Sequence, residues 1–277
     1  MINSSLFISE DAPEIIPADA VYLIYHGDRL LTDMRAKTPL PLPAAALVDL
    51  ETEADCTQFL GYWQGKACYA MSYQQLPVFD PMSYQLGSLY PLLGRVSDEL
   101  FALAGRGLQI VNWYFDHQFC GRCGEVMVKH PSDRAMTCKP CKQLLYPRLS
   151  PAIIVLVTRG DEMLLARNHT FPQGLYSTLA GFVEPGETSE QCVVREVFEE
   201  TNIRVNNVTY FGSQPWPFPS QLMLGFFASY ESGDIVPQEN EIADAQWFTA
   251  EKMPMTPPPH AISGQLIADF IGRKQVQ

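Results

Sequence analysis

Residues 181–203, GFVEPGETSEQCVVREVFEETNI, constrain this chain more than any other stretch. They read as a glycine-bearing loop that feeds a short helix loaded with carboxylates. Thr188 and Gln191 have the T-x-x-Q spacing of a capping box, which starts the helix at that point. At about 100° per residue, Val193, Val194, Val197 and Phe198 form an apolar sector, with Glu196, Glu199 and Glu200 grouped opposite. Like charges at these spacings destabilise a helix by about 0.2–0.5 kcal/mol per pair. A sequence that keeps them together either spreads them into water, as an ordinary acidic face, or uses them to hold cations. Clustered carboxylates combined with substrate phosphates suit a hard ion such as Mg²⁺.

The full spacing favours the second use. Gly181, Glu187 and the run Arg195-Glu196-Val197-Phe198-Glu199-Glu200, closing at Ile203, resemble the Nudix box. That family hydrolyses nucleoside diphosphates linked to another moiety and binds divalent metal on this loop and helix. The family's glycine near the end of the box is Asn202 here. The position lies just past the helix, where a left-handed residue is wanted, and Asn is the usual second choice.

Composition narrows the rest. With 277 residues, 47% of them hydrophobic and 18% charged, the chain can bury a substantial core in one large domain or two smaller ones. A net charge of −12 argues against holding long nucleic acid mainly through phosphate contacts. No stretch reaches the length of a membrane helix, and residues 1–20 lack a basic-then-apolar signal pattern. Seven cysteines, four of them in two C-x-x-C pairs, suit a metal site in a reducing compartment. The expected location is the cytoplasm.

Before residue 95, short apolar runs at 21–25, 47–50 and 67–71 predict a small mixed domain with several strands. Cys56 and Cys68 read as buried hydrophobes, and His26 as a turn residue beside Gly27 and Asp28. Residues 97–117 have helical apolar spacing interrupted by Gly105 and Gly107, which implies a break or a close packing contact. Next come Cys120-x-x-Cys123 and Cys138-x-x-Cys141, at the spacing of a structural Cys₄ zinc site. Six Lys or Arg against three acids in residues 116–149 mostly offset the −2 charge of such a site, so the ribbon is a weak candidate for nucleic acid.

Strands at 153–157 and 163–166 around a Gly-Asp turn, then at 179–183, 205–211 and 223–230, with a closing helix at 261–270, predict a mixed sheet with helices on both sides. Residues 213–223, SQPWPFPSQLM, carry three prolines in five residues and read as a stiff extended loop without ladder bonds, presenting Trp216 and Phe218. A Pro-aromatic turn packed on the core is the plain alternative; stacking on a flat heterocycle is the functional one.

The SQPWPFP run after a Nudix box, with a four-cysteine ribbon before it, is similar to the NADH pyrophosphatase (NudC-type) subfamily of Nudix hydrolases. The resemblance runs from about Trp113 to the C-terminus and covers the first 95 residues only weakly. It implies a mixed α+β chain: an N-terminal mixed α/β domain with a connecting helix at 1–115, a Cys₄ zinc ribbon at 116–149 and a Nudix α/β/α sandwich at 150–277. It implies hydrolysis of NAD(H) to NMN(H) and AMP, removal of NAD caps from RNA, and a homodimer. For this sequence it implies Mg²⁺ or Mn²⁺ on Glu196, Glu199, Glu200 and Glu241 with the Ala180 carbonyl, and structural Zn²⁺ on Cys120, Cys123, Cys138 and Cys141. Arg195 would orient the carboxylates, Glu187 would support the loop, and Glu199 or Glu241 would be the general base. Phe182, Trp216 and Phe218 would stack on a ring. Tyr146 and Gln214 would meet polar edges of the substrate, and Pro215, Pro217, Pro219, Ser220 and Gln221 would complete the loop around it. Two other readings remain: hydrolysis of ADP-ribose or another nucleotide sugar, and a non-catalytic nucleotide- or RNA-binding module.

Overall fold

The computed structural model describes residues 12–47, 53–76 and 78–275. The chain forms two compact units, Met1–Arg148 and Leu149–Gln277. Among the described residues, no helix is long and apolar enough to cross a membrane.

In the first unit, β1 (Val21–His26), β2 (Arg29–Asp33), β3 (Leu42–Pro43), β4 (Cys56–Trp63), β5 (Lys66–Ser72) and β6 (Tyr84–Ser88) form one sheet of order β4-β5-β1-β2-β6, with β3 also paired to β1. Of the expected apolar run at 47–50, residues 48–50 lie outside the described residues. Helix α1 (Asp98–Asp116) follows, with the Ser97 hydroxyl capping it by accepting the Leu100 N–H. Its glycines do not break it. Gly107 makes room for Tyr25: a Cβ there would lie 2.4 Å from the tyrosine hydroxyl, which donates to the Ala104 carbonyl at 2.6 Å. His26 ends β1 with its ring Nδ1 2.8 Å from the Tyr73 carbonyl. Cys56 and Cys68 are buried, and burial pushes the Cys68 thiol up to about 12, which makes it inert. Three two-residue strands, β7 (Val128–Lys129), β8 (Met136–Thr137) and β9 (Leu144–Leu145), complete the ribbon.

In the second unit, β10 (Ser150–Arg159), β11 (Glu162–Asn168), β12 (Leu179–Phe182), β13 (Arg204–Trp216), β14 (Gln221–Ser232) and β15 (Ile242–Thr249) form a sheet of order β13-β14-β10-β11-β15, with β12 paired to β10. The central strand is apolar on both faces because both are covered. Ile153, Val155 and Val157 pack with Val193 and Val197 of α2 (Ser189–Thr201). Ile154 and Leu156 pack with Leu266, Ile267 and Phe270 of α3 (Ile262–Gln275). The result is an α/β/α sandwich.

The two sheets share one topology. In each, the leading strand pairs antiparallel with its hairpin partner and with a short third strand, and parallel with the fifth. The hairpin turns match as well, His26-Gly27-Asp28-Arg29 and Arg159-Gly160-Asp161-Glu162, with the glycines at φ 56° and 61°. The first unit is thus a second copy of the fold. Where the second copy places α2, between 183 and 203, the first has only residues 44–55.

Two expectations need correction. The proline-rich stretch is not a loop free of ladder bonds: β13 runs to Trp216 and β14 starts at Gln221, with Gln214, Pro215 and Trp216 in register with Met223, Leu222 and Gln221. Pro215 is tolerated because β13 is the edge strand, where a missing N–H leaves no neighbour unpaired. On α2, the buried side carries Cys192, Val193, Val197, Glu200 and Thr201, while Val194 and Phe198 are exposed. Glu200 therefore does not share a solvent face with Glu199.

Candidate active site

The loop and helix are built as the spacing predicts. The Thr188 Oγ1 accepts the Gln191 N–H at 3.2 Å, and the Gln191 Oε1 accepts the Thr188 N–H at 2.9 Å. At the other end, Asn202 is left-handed at φ 60° and its N–H closes on the Phe198 carbonyl.

Arg195 is the hub between them. Its Nε and Nη2 hold both oxygens of Glu187 at 2.8 and 2.9 Å, a bidentate pair. Its Nη1 donates to Glu196 Oε1 at 2.8 Å and to Glu199 Oε2 at 2.9 Å, and its Nη2 also reaches the Phe182 carbonyl at 3.0 Å. This guanidinium holds the Glu187 carboxyl down at about 2. One side chain thereby ties the loop, the end of β12 and two helix carboxylates into a single unit.

Glu200 is different. It is 5% exposed, and no hydrogen-bond donor or cation meets its carboxylate among the described residues. Burial, reinforced by the charges of Glu196, Glu241 and Glu199, pushes its pKa up to about 8. Glu196 is also raised, by burial first and against the pull of Arg195. A buried carboxylate that feels the charges of three others has the donor chemistry of a hard divalent cation site, which would supply the missing charge, although among the described residues only the four ribbon cysteines have their ligand atoms drawn together within 4.8 Å.

Gly181 explains how the strand lies against this cluster. A Cβ added there would fall 1.9 Å from the Glu196 carboxyl carbon. Because that group is the far end of a flexible side chain, Gly181→Ala should leave the melting temperature nearly unchanged. It should displace the Glu196 carboxylate and lower kcat/KM about 100-fold, the scale of a 1 Å misplacement. Thermal melts run beside kinetics check both halves; unaltered kinetics would show that the close approach has no catalytic meaning.

Phe182, half-exposed, lies opposite Ala152 on β10, next to Ala180 and Gly181 opposite Ile154 and Ile153. On the other flank of β10, Ser150 lies opposite Gln221, itself opposite Trp216. Phe182, Gln221 and Trp216 therefore share one end of the sheet. The rings of Trp216 and Phe218 meet edge to face with centroids 5.3 Å apart, and Trp216 packs on the α3 side. Pro217 is buried and Pro219 exposed at the hairpin tip, where the Ser220 carbonyl accepts the Ser150 N–H at 2.8 Å. Gln214 is committed to main chain at both ends of its amide, donating to the His260 carbonyl and accepting the Ile262 N–H at 2.8 Å each. Tyr146 belongs to the first unit, where its hydroxyl donates to Asp133 at 3.0 Å.

In the ribbon, the sulfurs of Cys120 and Cys141 lie 3.4 Å apart, those of Cys123 and Cys138 3.5 Å, and those of Cys123 and Cys141 3.8 Å; none is disulfide-bonded. A tetrahedral Zn²⁺ with Zn–S bonds of about 2.3 Å needs sulfur separations of about 3.8 Å. The four thiols fit the ion.

In the sequence, Glu241 is marked only through the family resemblance, as an acidic ligand. The structure adds His169, which no sequence signal marks: its N–H donates to the Glu241 carbonyl, and its ring Nε2 lies 2.9 Å from the Glu239 carbonyl.

Comparison with known proteins agrees with this arrangement part by part. Residues 148–270 match the NUDIX domain, 19–113 the NADH pyrophosphatase-like rudimentary NUDIX domain, and 116–146 the NADH pyrophosphatase zinc ribbon domain. The second description fits the duplicated sheet, in which no α-helix stands between β3 and β4 among the described residues. The chain is similar to the NAD-capped RNA hydrolase NudC of Pseudomonas fluorescens Pf-5, 51% identical over 175 residues, an alignment spanning 63% of each chain and so less than two thirds of that relative. It is 41% identical to the NAD-capped RNA hydrolase NudC of Pseudomonas syringae pv. tomato over 94% of this chain and 92% of that one. A Nudix hydrolase crystal structure from Nitrosomonas europaea shares the fold, with a TM-score of 0.50 at 21% identity over 57% of this chain and 93% of that one. With box, ribbon and duplicated sheet all matched, this chain belongs to the NADH pyrophosphatase (NudC-type) subfamily of the Nudix hydrolases.

Proposed function

We propose that this chain hydrolyses the pyrophosphate bond of NAD(H), giving NMN(H) and AMP, and removes NAD caps from RNA. The observation that carries the reading is the buried Glu200 carboxylate, set without a counter-ion among Glu196, Glu199 and Glu241. The substrate is supported by the names of the relatives that align with the chain.

Glu196, Glu199, Glu200 and Glu241, with the Ala180 carbonyl, would hold Mg²⁺ or Mn²⁺. Such an ion neutralises a pyrophosphate and makes a bound water more acidic. Arg195 keeps Glu196 and Glu199 in place and, through Glu187, fixes the loop. Glu199 and Glu241 are the exposed carboxylates of the set, so they are the groups open to receive the attacking water's proton. Phe182, Trp216 and Phe218 give flat apolar surface for the nicotinamide or adenine ring, and Gln214 supports the hairpin through α3. Tyr146 is proposed for a polar edge of the substrate. We read the chain as three parts, 1–115, 116–149 and 150–277, acting as a cytoplasmic homodimer.

The test is an assay of NADH, NAD⁺, a 5′-NAD-capped oligoribonucleotide and ADP-ribose with Mg²⁺ or Mn²⁺, resolving products by chromatography. Cleavage of the NAD substrates between their phosphates is the expected result. Turnover of ADP-ribose alone would move the chain to the nucleotide-sugar hydrolases, and binding without turnover would make it a sensor.

A further inference from the structure

Glu241 differs from the other acids of the cluster in having no helix to hold it. It sits in a turn, with its N–H donating to the Gln238 carbonyl at 3.1 Å. Two anchors hang that turn over α2. On one side, the Gln238 N–H donates to the Glu200 carbonyl at 2.9 Å, at the C-terminal turn of the helix. On the other stands His169, whose N–H donates to the Glu241 carbonyl at 3.2 Å. A carbonyl only accepts, so the His169 Nε2, 2.9 Å from the Glu239 carbonyl, carries the proton and donates it.

His169 is itself fixed. It lies just past β11, where the Asn168 side-chain oxygen accepts from the Thr170 N–H at 2.9 Å and the Thr170 hydroxyl at 2.8 Å, and the Phe171 N–H returns to the Asn168 carbonyl at 3.0 Å. This Asx turn leaves the histidine backbone little freedom. The ladder between β11 and β15 also shifts register here, between Arg167 and Asn168, so regular pairing stops before the acidic turn begins. Past that shift, the two bonds from His169 tie the main chain of the acidic turn to the end of β11.

We propose that His169 is a positioning residue, which holds the main chain at Glu239 and Glu241 so that the Glu241 carboxylate faces those of α2. The inference rests on the reading of Glu241 as a metal-facing group. It concerns a link that neither the box nor the ribbon contains.

The experiment uses the full-length, zinc-loaded protein and titrates Mn²⁺ by electron paramagnetic resonance, alongside kcat against Mg²⁺ concentration with NADH. His169→Ala should weaken Mn²⁺ binding about tenfold, the lower range for loss of a residue that orients a ligand. His169→Gln keeps an N–H at the same reach and should restore most of the binding. Melting temperatures should stay near the parent's, because the side chain is exposed. In a Glu241→Gln background, His169→Ala should add nothing further, since both changes act through the same Glu241 carboxylate. Parent-like Mn²⁺ binding in His169→Ala would overturn the inference, as would losses that simply multiply in the double variant. A parent protein that cleaves no NAD substrate while its Mn²⁺ binding still responds in this way would instead sink the proposed activity and leave the link intact.

Discussion

Glu200→Gln should abolish hydrolysis and, without divalent metal at pH 8, make the protein more stable than its parent. The sign follows from burial. In the folded chain the Glu200 carboxyl is pushed up to about 8, against an ordinary glutamate near 4.5 in the unfolded chain. A folded pKa above the unfolded one contributes stability that is fully present below about pH 4.5 and is lost as pH rises through about 8. At pH 8 and above, the folded protein carries a buried anion whose cost is on the order of 3–5 kcal/mol for a shift of this size. Glutamine removes the charge but leaves a buried amide short of partners, which returns about 1–3 kcal/mol. A net gain near 2 kcal/mol corresponds to a rise in melting temperature of roughly 5 °C. The difference should shrink as the pH falls toward 5, where the parent carboxyl is already protonated. Adding Mg²⁺ at pH 8 should stabilise the parent more than the variant, because the parent alone keeps the whole anionic set. Turnover should fall by at least about 100-fold, beyond the range seen when only a ligand's support is lost. Melts across pH 5–9, with and without Mg²⁺, check each step. Parallel pH profiles for the two proteins would show that Glu200 is not held as a strained anion.

That glutamate also marks where the sequence stopped being informative. The capping box at Thr188 and Gln191 and the left-handed Asn202 were legible because caps depend on residues within four positions of each other. On the helix, residue type alone puts the apolar sector on the wrong arc, because it leaves Glu200 out of the buried stripe. Glu200 lies about 20° from Val193 on the wheel, well inside the buried stripe, a place that its residue type alone argues against. The hairpin was hidden for a related reason: prolines argue against a central strand, and nothing in the local sequence says that β13 is an edge. The first unit offered no motif, since it lacks the box; its kinship appears in strand register and the paired Gly-Asp turns. His169 acts through main-chain carbonyls 70 and 72 residues away, and such contacts leave no trace in side-chain pattern.

Zinc removal should have the other large effect, and on a different part of the chain. The ribbon's strands are two residues each, and its buried side chains amount to little more than Met127, Ala135, Met136, Cys120 and Cys138. A core that small does not offset the entropy of ordering its backbone, at about 1–2 kcal/mol per residue. The four sulfurs, 3.4–3.8 Å apart where measured and free of disulfides, supply what the core does not. Structural Zn²⁺ in such a site contributes apparent binding energies of about 10–16 kcal/mol, which becomes folding energy. Cys138→Ser, or a strong chelator, should therefore release one zinc per chain. It should also open residues 118–145 to proteases while the box in the second unit still shows its Mg²⁺-dependent stabilisation. Zinc quantification, limited proteolysis read by mass spectrometry and the melting profile together separate the two metals. The ribbon loses its fold when zinc goes, whereas the carboxylate cluster gains stability when its charge goes. A zinc-free protein with an intact, protease-resistant ribbon would mean that the thiols are held together by something other than a metal.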